Sequence, residues 1–177
     1  MAQAVKPPFR ADHVGSLLRP KALLDARDKR QKGQITAEEL RKVEDAAIRD
    51  AVKLQEDVGL QGITDGEYRR TFFHIDFLER LDGVAVHGGI AMRFHGAKQD
   101  VDFAPPKLEV TGALKRTHPI QLADFAYLKS VAKRTPKLCI PSPTMLHFRG
   151  GRKGIDRTAY PDIEGFFADL ARVYREE

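Results

Sequence analysis

Cysteine is the scarcest reactive residue: Cys139 stands alone in 177 residues. A single thiol excludes an internal disulfide framework and cannot build a thiolate-rich zinc site by itself. Long apolar runs are missing too, the longest being a few residues, so no stretch can span a bilayer as a helix. The first ten residues carry Lys6 and Arg10 but no apolar core, which leaves no secretory signal. Together these absences point to a reducing cytoplasm. Repeats and low-complexity tracts are also lacking. What is present is the balance of a soluble globular domain, with 42% hydrophobic and 31% charged residues.

The formal net charge is +5, from 30 Lys and Arg against 25 Asp and Glu. Its short clusters, at Arg69-Arg70, Lys115-Arg116, Lys133-Arg134 and Arg149 to Lys153, read as a solvated, mildly basic surface. A nucleic-acid interface would call for a basic stripe interleaved with aromatics, or a known module, and neither occurs.

Residues 9–18 read as a strand that ends at His13-Val14-Gly15-Ser16, with Gly15 permitting the turn. Pro20 sits where a helix can begin, and residues 23–30 form a short helix ended by Gly33. Thr36 with Glu39 makes a capping box. Leu40, Val43, Ala47, Ala51, Leu54 and Val58 follow at spacings of three or four, predicting one helix over 36–58. Residues 60–64 are a short apolar strand running into Asp65-Gly66-Glu67. Beyond it, 70–89 suggest a short helix and turn, 88–106 an irregular excursion or hairpin, and 107–114 an antiparallel strand. A helix over 119–134, a buried strand over 137–140 ending in Pro141-Ser142-Pro143-Thr144, a loop at 150–154 and a helix over 163–177 complete the order. Strands alternating with helices point to a parallel α/β sheet, with polar turns after the strand ends, where barrels place their sites.

Three turns could carry chemistry. The Gly15-Ser16 turn offers N–H groups and a hydroxyl to a carboxylate or phosphate, or is a plain tight turn with a capping serine. Asp65 and Glu67 could hold an ammonium or act as a base. Equally, they could form a turn salt-bridged to Arg69 or Arg70. Pro141 to Thr144 is either a stiffened binding loop or a rigid strand exit. His13, His74 and Asp76 lack the paired spacing of metal ligands, and His87, His95, His118 and His147 are scattered. Cys139, inside an apolar strand, reads as a buried inert thiol.

The segments DHVGSLLRP (12–20), ITAEELRKVEDAAIRDAVKLQEDVGLQGITDGEYRRTFFHIDFLERLDGV (35–84) and IPSPTMLHFRGG (140–151) resemble the cobalamin-independent methionine synthase family, most closely its short, single-barrel members. The resemblance covers nearly the whole chain. It implies a (β/α)₈ barrel and the transfer of a methyl group from methyltetrahydrofolate to the thiol of homocysteine. Val14, Gly15 and Ser16 match the turn that binds the amino-acid substrate, and Glu67 the carboxylate that binds its ammonium.

Two departures accompany the resemblance. The family's catalytic zinc is held by His, Cys, Glu and Cys from the later half of the barrel, which this chain does not contain. Where the two-barrel enzymes carry a Gly-Pro motif after strand three, this chain has Ser142-Pro143, and the departure falls on the pterin contacts.

A complete barrel typically needs about 250 residues. The expectation is therefore the N-terminal half of one, ending inside a helix at Arg175-Glu176-Glu177, inactive alone, and self-associating through open sheet edges. The alternative is a non-catalytic module that pairs with itself or another chain. The substrate would be a small thiol, with neither nucleic acid nor membrane as a partner.

Overall fold

The computed structural model describes residues 13–89, 92–94, 101–104 and 106–177. The chain is α/β, and its contacts divide it into two compact units. The first joins residues up to Thr71 with Leu122–Cys139, and the second joins Phe72–Gln121 with Ile140–Glu177.

In the first unit, α1 (Lys21–Gln31) follows Pro20, and α2 runs Ala37–Asp57. The capping box forms as the sequence dictates: Glu39 N–H donates to Thr36 Oγ1 at 3.1 Å, and Thr36 N–H to Glu39 Oε2 at 2.7 Å. This satisfies two donors that helix geometry leaves open.

The buried face of α2 differs from the expected stripe. Glu44, Ala47, Ile48, Ala51, Val52 and Gln55 are buried, whereas Leu54 and Val58 are exposed. Polar residues occupy core positions because each finds a partner there: Arg69 for Glu44, Thr64 and His13 for Gln55. A hydropathy pattern cannot see such partners.

After α2 come β1 (Gly62–Ile63), α4 (Leu122–Val131) and β6 (Thr135–Pro136), the last two entering the unit late in the sequence. Strands β1 and β6 pair in parallel, Gly62 with Thr135 and Ile63 with Pro136. The strand expected over 137–140 thus forms earlier and shorter, at Thr135–Pro136. Leu23, Ile48, Val52, Ile63 and Leu128 form the core between helices and strands.

The second unit begins with α3 (Ile75–Leu78), followed by β2 (Asp82–His87). The pair β3 (Met92–Phe94) and β4 (Val101–Phe103) follows, then β5 (Lys107–Lys115). β2 pairs antiparallel with β5, and β3 with β4, so the expected excursion contains a hairpin and 107–114 is a strand as read. Short 3₁₀ turns occupy Pro143–Leu146 and Gly151–Gly154, and α5 spans Ile163–Glu176.

Asp162 caps α5 by accepting from Gly165 N–H at 2.7 Å. Phe166, Leu170 and Val173 pack into a core with Phe77, Leu78, Val110 and Leu114. Phe167, expected on the same face, is partly exposed and lies against the His147 ring, 5.3 Å between centroids. No helix among the described residues is long and apolar enough to cross a membrane.

Candidate functional site

The exit of β1 and the turn at Gly15 build one site within the first unit. Thr64, the residue after β1, takes its backbone partner from the Gln55 side chain of α2. Its Oε1 accepts from Thr64 N–H at 2.9 Å, and its Nε2 donates to Thr64 O at 2.8 Å. The same Oε1 lies 2.8 Å from His13 Nε2. Thr64 Oγ1 then donates to Gly15 O at 2.8 Å, tying the two turns together. Leu17 N–H donates to Gly66 O at 3.0 Å, and Tyr68 OH to Leu18 O at 2.9 Å, continuing the lacing.

Glycine is required at Gly15. Its φ is +120°, and a Cβ there would stand 3.0 Å from Cys139 Sγ. Val14 and Ser16, on either side, are exposed. Glu67 is buried at 5% exposure and has a φ of +56°, the one positive value outside glycine among the described residues. Burial pushes its carboxyl above the ordinary range, as does Asp65, against the Arg70 and Arg19 guanidinium groups and a hydrogen bond from the Ser16 side chain. Ser16 and Glu67, expected together at the ends of parallel strands, lie on turns tied together through Thr64 and Leu17, but residues 13–18 form no strand.

Arg70 is 3% exposed. Its Nη1 donates to Cys139 O at 2.6 Å and lies 3.7 Å from Glu67 Oε1, while Nε and Nη2 find no hydrogen-bond partner among the described residues. The salt bridge that sequence offered as an alternative to a binding role is thus present. Arg69 and Arg70 are not surface charges as expected, since both are buried among carboxylates and carbonyls. Cys139 is half-buried and outside any strand, correcting the buried-strand reading, and its thiol donates to the Val14 carbonyl.

Arg19, Arg27, Gln55 and Asp65 escaped the sequence reading as scaffold for this site. Of these only Asp65, a short acid two residues before a needed turn, carried a local signal.

Metal chemistry does not fit these residues. A site with two thiolates cannot be assembled from one cysteine, and no three His, Cys, Asp or Glu gather to hold an ion among the described residues. His13 is engaged by Gln55 in the first unit. In the second, Asp76 accepts from Phe72 N–H, His87 pairs with Glu109, and His118 lies 3.2 Å from Thr117 Oγ1. His95 lies outside the described residues. Ser142 and Thr144 hydroxyls bond each other at 2.9 Å at the start of a 3₁₀ turn, a stiff chain exit.

His74 in the second unit is buried, with no hydrogen-bond partner for Nδ1. Burial, then the charge of Arg149, lowers its pKa from 6.5, with Asp76 opposing. The unfolded chain therefore binds a proton that the folded chain refuses. Stability contributed by neutral His74 is complete above about pH 6.5 and is lost as pH falls below it. Replacing His74 with Gln is expected to flatten that acid-side decline, measured by urea midpoints across pH. An unchanged slope would contradict it.

The chain matches the family model described as cobalamin-independent synthase, catalytic domain, over residues 9–159. It is 44% identical over 173 residues to the uncharacterized protein YxjH of Bacillus subtilis, covering 97% of this chain and 44% of that protein. Identity to a 5-methyltetrahydropteroyltriglutamate–homocysteine methyltransferase of Thermotoga sp. (strain RQ2) is 27% over 140 residues, covering 79% of this chain and 18% of that one. A Listeria monocytogenes crystal structure ascribed to a vitamin-B12-independent methionine synthase superposes with a TM-score of 0.74 at 42% identity, over 96% of this chain and 47% of that one. The fold is thus that of a methionine-synthase-like α/β protein. The chain belongs to the cobalamin-independent synthase catalytic-domain family, and it spans just under half the length of YxjH.

Proposed function

We propose that the Gly15-Ser16 and Asp65-Glu67 turns bind the amino-acid end of a thiol substrate, homocysteine or a close analogue. They would do so as the N-terminal part of a (β/α)₈ barrel that methylates the substrate from methyltetrahydrofolate. The observation that carries this reading is Glu67, a buried carboxylate on a left-handed turn that hydrogen bonds tie to the Gly15-Ser16 turn. An ammonium arriving beside a buried carboxylate favours its charged form, opposing the burial that disfavours it. Ser16, exposed on the neighbouring turn, offers a hydroxyl to the substrate carboxylate. The residues therefore bind and orient the amino acid.

Ionising the substrate thiol is a separate task. A thiol has a pKa near 8.5 and is mostly protonated at neutral pH, so the family relies on zinc for it. Ligands for that metal are not among these residues. With zinc added, these 177 residues are expected to turn over homocysteine no faster than a no-protein control. Turnover above that control, abolished by Glu67→Gln, would overturn the expectation that the chain is inactive alone.

Binding is the direct test. Titration calorimetry with L-homocysteine under reducing conditions should show an affinity that Glu67→Gln weakens by at least about thirtyfold, roughly 2 kcal/mol, as expected when a buried charge partner is removed. Equal binding by the wild type and the variant would sink the reading.

A further inference from the structure

Resting on that reading, we infer that Arg19 and Asp65 are positioning residues for Glu67, holding its peptide in the left-handed conformation that presents the carboxylate to a substrate ammonium. A φ of +56° is uncommon outside glycine, and such a conformation persists only where its surroundings over-determine it. Here both sides of the residue are pinned. Asp65 Oδ1 accepts from Glu67 N–H at 2.9 Å. Arg19 Nη2 donates to Glu67 O at 2.9 Å and, with the same nitrogen, to Arg70 O at 2.7 Å. Arg27 adds a second guanidinium, donating to Arg70 O at 3.0 Å and to the Tyr68 carbonyl.

The turn after β1 thus has its backbone carbonyls held by two arginines, of which Arg27 also lies 3.9 Å from Glu44 Oε1. Arg19 comes three residues after Ser16, so the segment that supplies the serine also fixes the carboxylate it must act with. Asp65 is 3% exposed, and its Oδ1 is committed to Glu67 N–H. It is therefore part of the frame rather than a second ammonium ligand. Without either clamp the peptide can relax toward negative φ, swinging the Glu67 carboxylate away from Ser16. The pair of groups would still exist, but not at one spacing.

The test separates a positioning role from a structural one by ligand choice. The chain and its variants Arg19→Met, Arg19→Lys, Asp65→Ala and Asp65→Asn are titrated with L-homocysteine and with its deamino analogue, which keeps the carboxylate and thiol. Arg19→Met and Asp65→Ala are expected to weaken homocysteine binding by about tenfold or more, in keeping with the steep cost of misplacing a binding group by about 1 Å. The deamino analogue makes no use of Glu67, so its binding should weaken far less than that of homocysteine. Arg19→Lys and Asp65→Asn, which retain a donor and an acceptor at these places, should recover most of the loss. In a Glu67→Gln background, Arg19→Met should add nothing further.

Equal losses for both ligands, or full additivity with Glu67→Gln, would overturn the inference while leaving the amino-acid site standing. If the wild type binds neither ligand, or if Glu67→Gln is silent, the underlying reading fails instead. Should Arg19→Met not fold, the Asp65 pair and Arg19→Lys decide the same question.

Discussion

Replacing Arg69 with Met is expected to destabilise the first unit by about 3–5 kcal/mol, the usual cost of removing one partner from a buried ionic cluster. The Arg69 side chain is 5% exposed and meets three carboxylates. Nη1 lies 3.1 Å from Glu44 Oε2, Nη2 lies 2.6 Å from Asp45 Oδ1, and Nε lies 3.2 Å from Asp124 Oδ1 without hydrogen-bond alignment. Its guanidinium carbon also stands 5.0 Å from the centre of the Tyr127 ring. Arg41 reaches Asp124 at 2.8 Å, but it is 41% exposed and cannot replace a buried cation.

At about 2–4 °C per kcal/mol for a chain of this size, the melting midpoint should drop by roughly 6–20 °C. The deficit should also depend on pH. Burial already raises the Glu44 carboxyl, with Arg69 the first of the groups opposing it. Without Arg69 the folded-state pKa rises further, so the penalty is small where Glu44 is protonated in both states and grows as pH climbs through the unfolded value of about 4.5. Thermal melts at about pH 4.5 and pH 7 measure both effects. A loss below about 1 kcal/mol, the range of an exposed ion pair, would mean that the cluster is solvated.

The same cluster shows what a sequence of this kind reveals and what it withholds. Helix α2 announced itself through Thr36 and Glu39, because a capping box is local chemistry, three residues apart and readable in one dimension. Helices α1, α4 and α5 followed from apolar spacing and from glycine or proline punctuation in the same way.

Glu44 and Arg69 are 25 residues apart and Arg69 and Asp124 are 55 apart, so their meeting depends on the fold. A basic pair at Arg69-Arg70 reads as surface when partners cannot be seen. Gln55 shows the reverse error, a polar residue on a helix that is buried because a strand end needs its amide. The strand β6 slipped to Thr135–Pro136 since two residues of parallel pairing leave almost no periodic signal.

For the site, Ser16 and Glu67 came from resemblance to a family, and elementary chemistry agreed with them. The clamps from Arg19 and Asp65 became visible only through the backbone conformation of Glu67. Sequence names the side chains that touch a ligand more readily than the carbonyls that hold them still, because carbonyls are the same in every residue.

Gly83→Ala should disrupt the β2–β5 pair of the second unit, costing about 2–5 kcal/mol: about 1–2 for a left-handed residue and about 1–3 for overpacking. Gly83 has a φ of +85°, in the region that alanine resists. It sits where the register shifts between Asp82 and Val84, so that several residues of β5 lie opposite one position of β2. A Cβ there would fall 2.6 Å from Ala113 O and 2.7 Å from Gly112 O. These are backbone atoms, and no side chain can rotate aside to relieve them.

Moving them also moves Leu114, which is fully buried. Its backbone is held at both ends: the N–H donates to Tyr160 OH at 2.7 Å, and the carbonyl takes a bond from Arg172 Nη2 at 2.7 Å. The strain therefore passes to α5, which carries Arg172. Gly33→Ala is the matched control, since Gly33 has a φ of +70° but nothing within 4 Å of the place a methyl group would occupy. It should lose only the conformational part, about 1–2 kcal/mol. Urea unfolding of both variants, followed by near-ultraviolet dichroism of the tyrosines, measures the difference. If Gly83→Ala unfolds no earlier than Gly33→Ala, the backbone contact is not as close as described, and the bulge can open without disturbing Leu114.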